Sequence, residues 1–167
     1  MRYIKFSIIG LLILFILLTA IGLLMPSFVI VGRSVEINAP LDSIRFYTND
    51  PLHWIYWING ADTTNFKQLT KTTAEKNSKI KLDSYTITVV DNDTKYIITS
   101  WTSENGKEQL NRLQLYPKSA SAITVDWSFQ QQFKWYPWDR LSGMFNDNVL
   151  GPLMEVSLNN LKQVCEQ

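Results

Sequence analysis

The sequence predicts an α+β domain of antiparallel strands closed by a C-terminal helix, behind an N-terminal transmembrane helix. Three observations predict it. Residues 6–25 (FSIIGLLILFILLTAIGLLM) carry no charge. After Gly60 the apolar period changes from the helical ~3.6 to the strand value of ~2 and stays there as far as Phe133. Beyond Trp138 helical spacing returns, with Leu141, Phe145, Val149, Met154, Leu158, Leu161 and Val164 at three- to five-residue steps.

A 20-residue apolar run makes a helix of about 30 Å, the thickness of a bilayer's hydrocarbon core. Its only polar side chains are Ser7 and Thr19, and Pro26-Ser27 stops it. Ala20-Ile21-Gly22 has the small-x-small spacing of a signal-peptidase site. The run nevertheless exceeds the ~7–15 residues of a signal peptide's apolar region, and Leu23-Leu24-Met25 continues it past that point. An uncleaved signal anchor over residues 6–25 is therefore expected, with residues 1–5 as a short cytoplasmic N-terminus and 28–167 as the folded domain. Arg2 and Lys5 crowd the N-terminal side, whereas Arg33 on the other side is diluted by Glu36. The positive-inside bias predicts a single pass of the cytoplasmic membrane with the domain outside, on the periplasmic side in a Gram-negative cell.

Without Arg2 and Lys5 the remaining 14 cations face 15 carboxylates, so there is neither a basic stripe for nucleic acid nor an acidic tail. A single cysteine, Cys165, excludes an internal disulfide, and one histidine, His53, with one cysteine excludes the common zinc sets. No metal or other cofactor is expected. Six Trp, seven Tyr and eight Phe instead suggest a core, or a cavity, built of large flat side chains.

Residues 28–38 (FVIVGRSVEIN) read as a β-branched strand ended by Ala39-Pro40. Leu41, Ile44, Phe46 and Tyr47 mark a short helix, and Asp50-Pro51 opens a second helical turn carrying Trp54 and Trp57. Residues 66–73 form a weak, Lys/Thr-rich edge strand, and 79–90 a stronger one whose parity shifts near Asp83-Ser84, as at a bulge. Asp91-Asn92-Asp93 and Asn105-Gly106 are hairpin turns bounding the strand at 94–101, and 107–116 follows. The cleanest strand is 122–133, with Ile123, Val125, Trp127 and Phe129 on one face and Thr124, Asp126, Ser128 and Gln130 on the other. A single amphipathic helix spans 138–164, broken or kinked at Gly151-Pro152. Laid across the apolar face of the sheet, it completes the domain.

Several pieces, in this order, resemble the START-type (SRPBCC, helix-grip) superfamily, and within it the polyketide cyclase/dehydrase-like branch. Arg33 to Pro40 (RSVEINAP) resembles its opening strand and Ala-Pro stop. Asn49-Asp50 through Trp54 and Trp57 resembles its N-D-x-x-x-W-x-x-W turn, Val125-Asp126-Trp127 its late V-x-W strand, and Gly151-Pro152 through Leu158, Leu161 and Lys162 its closing G-P…L-x-x-L-K helix. Residues 72–78 lack the glycines that members often carry there. The resemblance implies a curved sheet gripping a long helix around a hydrophobic cavity. Its members include carriers of lipids or aromatic compounds as well as enzymes, so fold alone does not choose between them.

The candidate ligand-binding residues follow. Trp54 and Trp57 share a face of the short helix, as a pocket wall or as a packing plug. Tyr85, Trp101, Leu113, Leu115, Val125, Trp127 and Phe129 line the sheet's inward face, with Leu141, Met144, Phe145 and Met154 facing them from the helix. Two methionines among so many rings suit an adaptable apolar pocket as well as an ordinary core. Lys134, Trp135, Tyr136 and Trp138 interleave cations with rings, the composition of a membrane-interface patch; the alternative is a strand-end cluster folded back on the core. His53 has no nucleophile or paired carboxylate at a telling spacing, and alternation puts Arg112 and Asp126 on the outer face. The expected function is a membrane-anchored binding module for a lipid or other hydrophobic small molecule. The alternatives are a non-catalytic protein-interaction domain of the same fold, or a cyclase-like enzyme using Tyr85, His53 or Arg112.

Overall fold

The computed structural model describes residues 2–119, 121–143 and 146–167. The apolar run forms α1 (Arg2–Leu24), which is exposed along nearly all of its length and meets the domain only at its last turn. By length and composition this helix can cross a membrane. The domain follows as β1 (Phe28–Ile37), α2 (Leu41–Thr48), a 3-10 helix (Pro51–Tyr56), β2 (Phe66–Gln68), β3 (Lys79–Leu82) and β4 (Tyr85–Asp93). It continues with β5 (Tyr96–Ser103), β6 (Glu108–Pro117), β7 (Ile123–Gln132), α3 (Pro137–Gly143) and α4 (Asn146–Cys165).

Among the described residues the seven strands make one antiparallel sheet in the order β1-β7-β6-β5-β4-β3-β2, so the first strand returns to pair with the last. The alternation read from β7 holds residue for residue: Ile123, Val125, Trp127, Phe129 and Gln131 are buried on the inner face, between half-buried or exposed outer neighbours. α4 packs along β1 and covers that inner face. Val31, Ile37, Ile97, Leu113, Leu115, Val125, Met154, Leu158 and Leu161 form the core between them.

Arg33 ties β1 to α4. It projects from β1 to Asp147 (2.9 Å) and Glu155 (2.7 Å), which flank Gly151 on one side of the helix. Both carboxylates raise its pKa further above the ordinary arginine value, Asp147 through the larger hydrogen-bond contribution. A Cβ on Gly151 would lie 2.3 Å from the guanidinium, so the glycine is where the arginine passes over the helix.

The C-terminal segment is helical over Pro137–Gly143 and Asn146–Cys165, and helix continues through Gly151-Pro152, where the glycine lets Arg33 pass. The predicted elements differ from the observed ones at three places, all in the sheet. Asp83-Ser84 is a two-residue turn with Asp83 at φ 51°, and the register shift lies between Val89 and Asp91. Asp91-Asn92-Asp93 belongs to β4: Asn92 is held there by hydrogen bonds to Asn49 O (2.8 Å) and Ala74 O (2.7 Å). The weak edge strand shrinks to Phe66–Gln68.

Trp54 and Trp57 are sealed inside. Their indole N–H groups donate to Thr48 O (2.9 Å) and Tyr47 O (2.9 Å), and their rings lie against Trp101 and Trp127 respectively. Trp54→Ala is expected to lower domain stability by ~3–5 kcal/mol, measured by urea unfolding of the detergent-solubilised chain. Cys165 is buried, and desolvation, with a smaller contribution from Glu166, pushes its thiol up to about 11. Iodoacetamide at pH 8 should therefore leave the folded chain unmodified and alkylate it rapidly in urea.

Candidate functional site

A cavity of about 390 Å³ lies between the sheet and α4. Its floor is Trp101, Gln109, Trp127 and Phe129, side chains that alternation turns inward from β5, β6 and β7. Leu82 and Tyr85, on either side of the Asp83-Ser84 turn, close one side, and Leu150, Met154 and Ser157 of α4 form the roof. Ile58 to Gly60 and Asn65 complete the wall. This wall is tied to the helix by Ser157, which accepts from the Asn59 amide (3.0 Å), and to the β3–β4 turn by Asp83 N–H donating to Asn65 O (2.8 Å). The volume falls in the lower part of the ~300–1,000 Å³ range of ligand pockets, and the lining is predominantly apolar.

Of the predicted ligand-binding residues, Tyr85, Trp101, Trp127, Phe129 and Met154 line this cavity. Trp54 and Trp57 are packed behind Trp101 and Trp127, and Leu113, Leu115 and Val125 lie in the solid core further along the sheet. Leu141 is on α3, half-exposed and away from the cavity. Met144 and Phe145 lie outside the described residues. Sequence reasoning missed Gln109, Val149, Leu150, Leu153 and Ser157, because the rotation of a helix about its axis is set by what it packs on. The alternation of β6 did carry a signal for Gln109, which stands on the inner face two residues before Asn111 and four before Leu113.

The ionisable groups are placed apart. Among the described lining residues Asp83 and Tyr85 alone titrate, both on the rim. His53, expected in one reading to reach the pocket, is instead stacked on Phe46 (4.0 Å between rings) with Nδ1 2.6 Å from Phe46 O. Arg112 and Asp126 are on the outer face, as alternation predicts, with Arg112 over the Tyr96 ring. Residues 72–78 are not part of the cavity mouth, and Asn77 at φ 68° takes the left-handed conformation that a glycine would otherwise supply.

The inner face of the sheet carries polar groups without partners among the described residues. Asn111, fully buried between Phe129 and Thr99 in the sheet, has neither its amide nitrogen nor its oxygen hydrogen-bonded among the described residues. The indole nitrogen of Trp127 is in the same condition, whereas that of Trp101 donates to Thr99 Oγ1 (3.0 Å). Gln109 bonds Gln131 (2.9 Å) on the neighbouring strand.

At the end of the sheet where β1 begins, Arg140 reaches back to the last turn of α1. Its Nη1 lies 3.0, 3.3 and 2.7 Å from the carbonyl oxygens of Gly22, Leu23 and Met25, at a helix C-terminus where only Gly22 O also accepts a backbone N–H, that of Met25 (3.2 Å). Gly22 meets Pro137 so closely that a Cβ would lie 2.8 Å from the proline Cα. Beside this junction Trp135 and Trp138 are 54% and 62% exposed, Phe133 is buried, and Lys134 lies over the Tyr136 ring.

No family model and no curated protein matches the chain. Solved structures do. They include a protein from Nitrosospira multiformis (14% identity, TM-score 0.65, covering 82% of this chain and 96% of that one). The Zhui aromatase/cyclase from Streptomyces sp. R1128 matches at 12% identity and TM-score 0.63, over 83% and 94% of the two chains. Truncated norcoclaurine synthase from Thalictrum flavum gives 12% and 0.64, over 84% and 95%. The domain is a helix grip. Its interior holds the 390 Å³ cavity.

An unpartnered buried amide costs about 1–3 kcal/mol. Asn111→Leu should therefore raise the urea-unfolding stability of the ligand-free chain by roughly that amount. A fall in stability would mean that the amide is satisfied in solution.

Proposed function

We propose that this protein is a membrane-anchored binding module for a hydrophobic small molecule, held in the cavity between the sheet and α4. The observation that carries the reading is the cavity itself, a mostly apolar space floored by Trp101, Trp127 and Phe129 and roofed by Met154. Apolar burial drives such binding at about 25 cal/mol per Å², and two indoles and a phenyl ring offer flat surfaces to a ring system or a chain. The neighbouring folds named above, an aromatase/cyclase and a synthase, support a small-molecule ligand and membership of the polyketide cyclase-like branch.

The anchor reading rests on α1, whose apolar surface is exposed on all sides and whose last turn is built into the domain by Arg140 and Pro137. That integration supports a helix that stays attached. With Arg2 and Lys5 at its start, the domain lies outside the cytoplasmic membrane. Binding without turnover is favoured because Asp83 and Tyr85 share the rim with no acid–base partner between them.

Native mass spectrometry of the full chain released from mild detergent should show a bound apolar adduct. Met154→Trp places a larger ring in the cavity, at a cost of about 1–3 kcal/mol for overpacking, and should abolish that adduct together with quenching of tryptophan fluorescence by a doxyl-labelled fatty acid. If the wild type shows neither adduct nor quenching, the interior is an ordinary core. The protein-interaction reading then takes its place.

A further inference from the structure

We infer that the cavity is loaded from the bilayer, by one hydrocarbon chain of a lipid already in the membrane that α1 crosses. The inference rests on the proposed binding function and adds to it the source of the ligand and its route. The first observation is a matter of register. Following the pairings across the sheet, the start of β1 aligns with the end of β7, the start of β6, the end of β5, the start of β4 and the end of β3. Phe129, Gln109, Trp101, Tyr85 and Leu82 all lie near those ends. The cavity thus occupies the end of the grip from which α1 emerges, while the opposite end is solid core.

The second observation is the junction. Arg140 and Pro137 dock α3 on the last turn of α1, so α3 sits where that helix leaves the bilayer. α4 starts a few residues further on, and its first turn carries Val149. Val149 and Leu153 both line the cavity and are 62% and 46% exposed, which makes them an apolar lip at the mouth. Trp135 and Trp138, also exposed, stand at the junction itself, on the segment that carries Pro137 and Arg140. Large exposed rings and aliphatic side chains are costly against water and ordinary against lipid, where indoles settle at headgroup depth. The membrane that α1 crosses is the cover that the α1 junction supplies for this end.

The size fits one chain. Taking about 30 Å³ for a methylene, the volume share of a water molecule, a 390 Å³ cavity holds roughly a dozen, short of the two tails of a phospholipid. The headgroup and the second tail would remain outside, past Val149 and Leu153.

The test uses the full chain in phospholipid nanodiscs containing a small fraction of a phospholipid with a diazirine at the end of one acyl chain. After irradiation, peptide mass spectrometry should find label on Trp101, Phe129 or Met154 as well as on α1. In a parallel sample without that lipid, a short-chain diazirine fatty acid is added from water. If it alone labels the cavity, the binding function stands and loading from the bilayer is overturned. If neither probe labels it, the binding function falls as well. Arg140→Ala frees α3 from α1 and should cut labelling from the bilayer by roughly tenfold or more, because the effective concentration at a docked site is lost. Labelling from water should be unchanged, which also reports that the variant is folded. Unchanged labelling from the bilayer would overturn the positioning role of Arg140.

Discussion

One helix is too narrow for the face it covers. Seven strands spaced by about 4.8 Å make a sheet roughly 29 Å across, against about 10 Å for a helix. Curvature reduces the mismatch without removing it, so where α4 lies decides what else the inner face needs. The helix lies along the first strand, where Met154, Leu158 and Leu161 join Val31 and Ile37 in the core and Arg33 meets Asp147 and Glu155 on either side of Gly151. The uncovered remainder is divided in two. Trp54 and Trp57, pinned by hydrogen bonds to α2 carbonyls, fill the part behind Trp101 and Trp127. What neither helix nor tryptophans fill is the cavity.

The two ends of the grip are built differently. At the far end Asn49 and Asn92 exchange amide hydrogen bonds, Asn49 also donates to Asp93 O, and Lys118 of the β6–β7 turn meets Glu36 of β1 (2.5 Å). That pairing draws the Glu36 carboxyl below the ordinary glutamate value, chiefly through the Lys118 hydrogen bond. At the near end Arg140 ties the domain to α1, and beside polar pairs such as Lys107–Asp139 the apolar Trp138, Val149 and Leu153 are left exposed. A domain floating free in water would gain by hiding Trp138 and Val149; one pressed against lipid would not.

Much of this architecture was legible because alternation in a strand is local. The inward set of β7, and with it Trp127 and Phe129, follows from adjacent residues alone, and so do the outward positions of Arg112 and Asp126. The helices were harder, since a heptad-like spacing says that a face is apolar but not what it meets. Leu141 fits the same spacing as Met154, yet it is half-exposed while Met154 is buried in the roof of the cavity. Gly151-Pro152 looks like a break when read along the chain, and its real partner is an arginine on the first strand, remote in sequence. The Arg140 cap was invisible for the same reason: its acceptors are backbone carbonyls, which every residue has.

The orphan polar groups of the inner face bear on what kind of binding site this is. A sheet that needed only a stable core would place leucine where Asn111 stands, since its neighbours Leu113 and Leu115 show that the face accepts it. Keeping an unpaired amide beside an unpaired indole N–H retains a cost that folding alone does not recover. Such a cost is tolerable where a ligand or water meets the group. Apolar walls with a few fixed polar atoms beneath them give affinity through area and orientation through the polar atoms. In this domain the area belongs to Trp101, Trp127, Phe129 and Met154, Gln109 and Ser157 are polar groups of the lining, and Asn111 pairs with Phe129 in the sheet behind it.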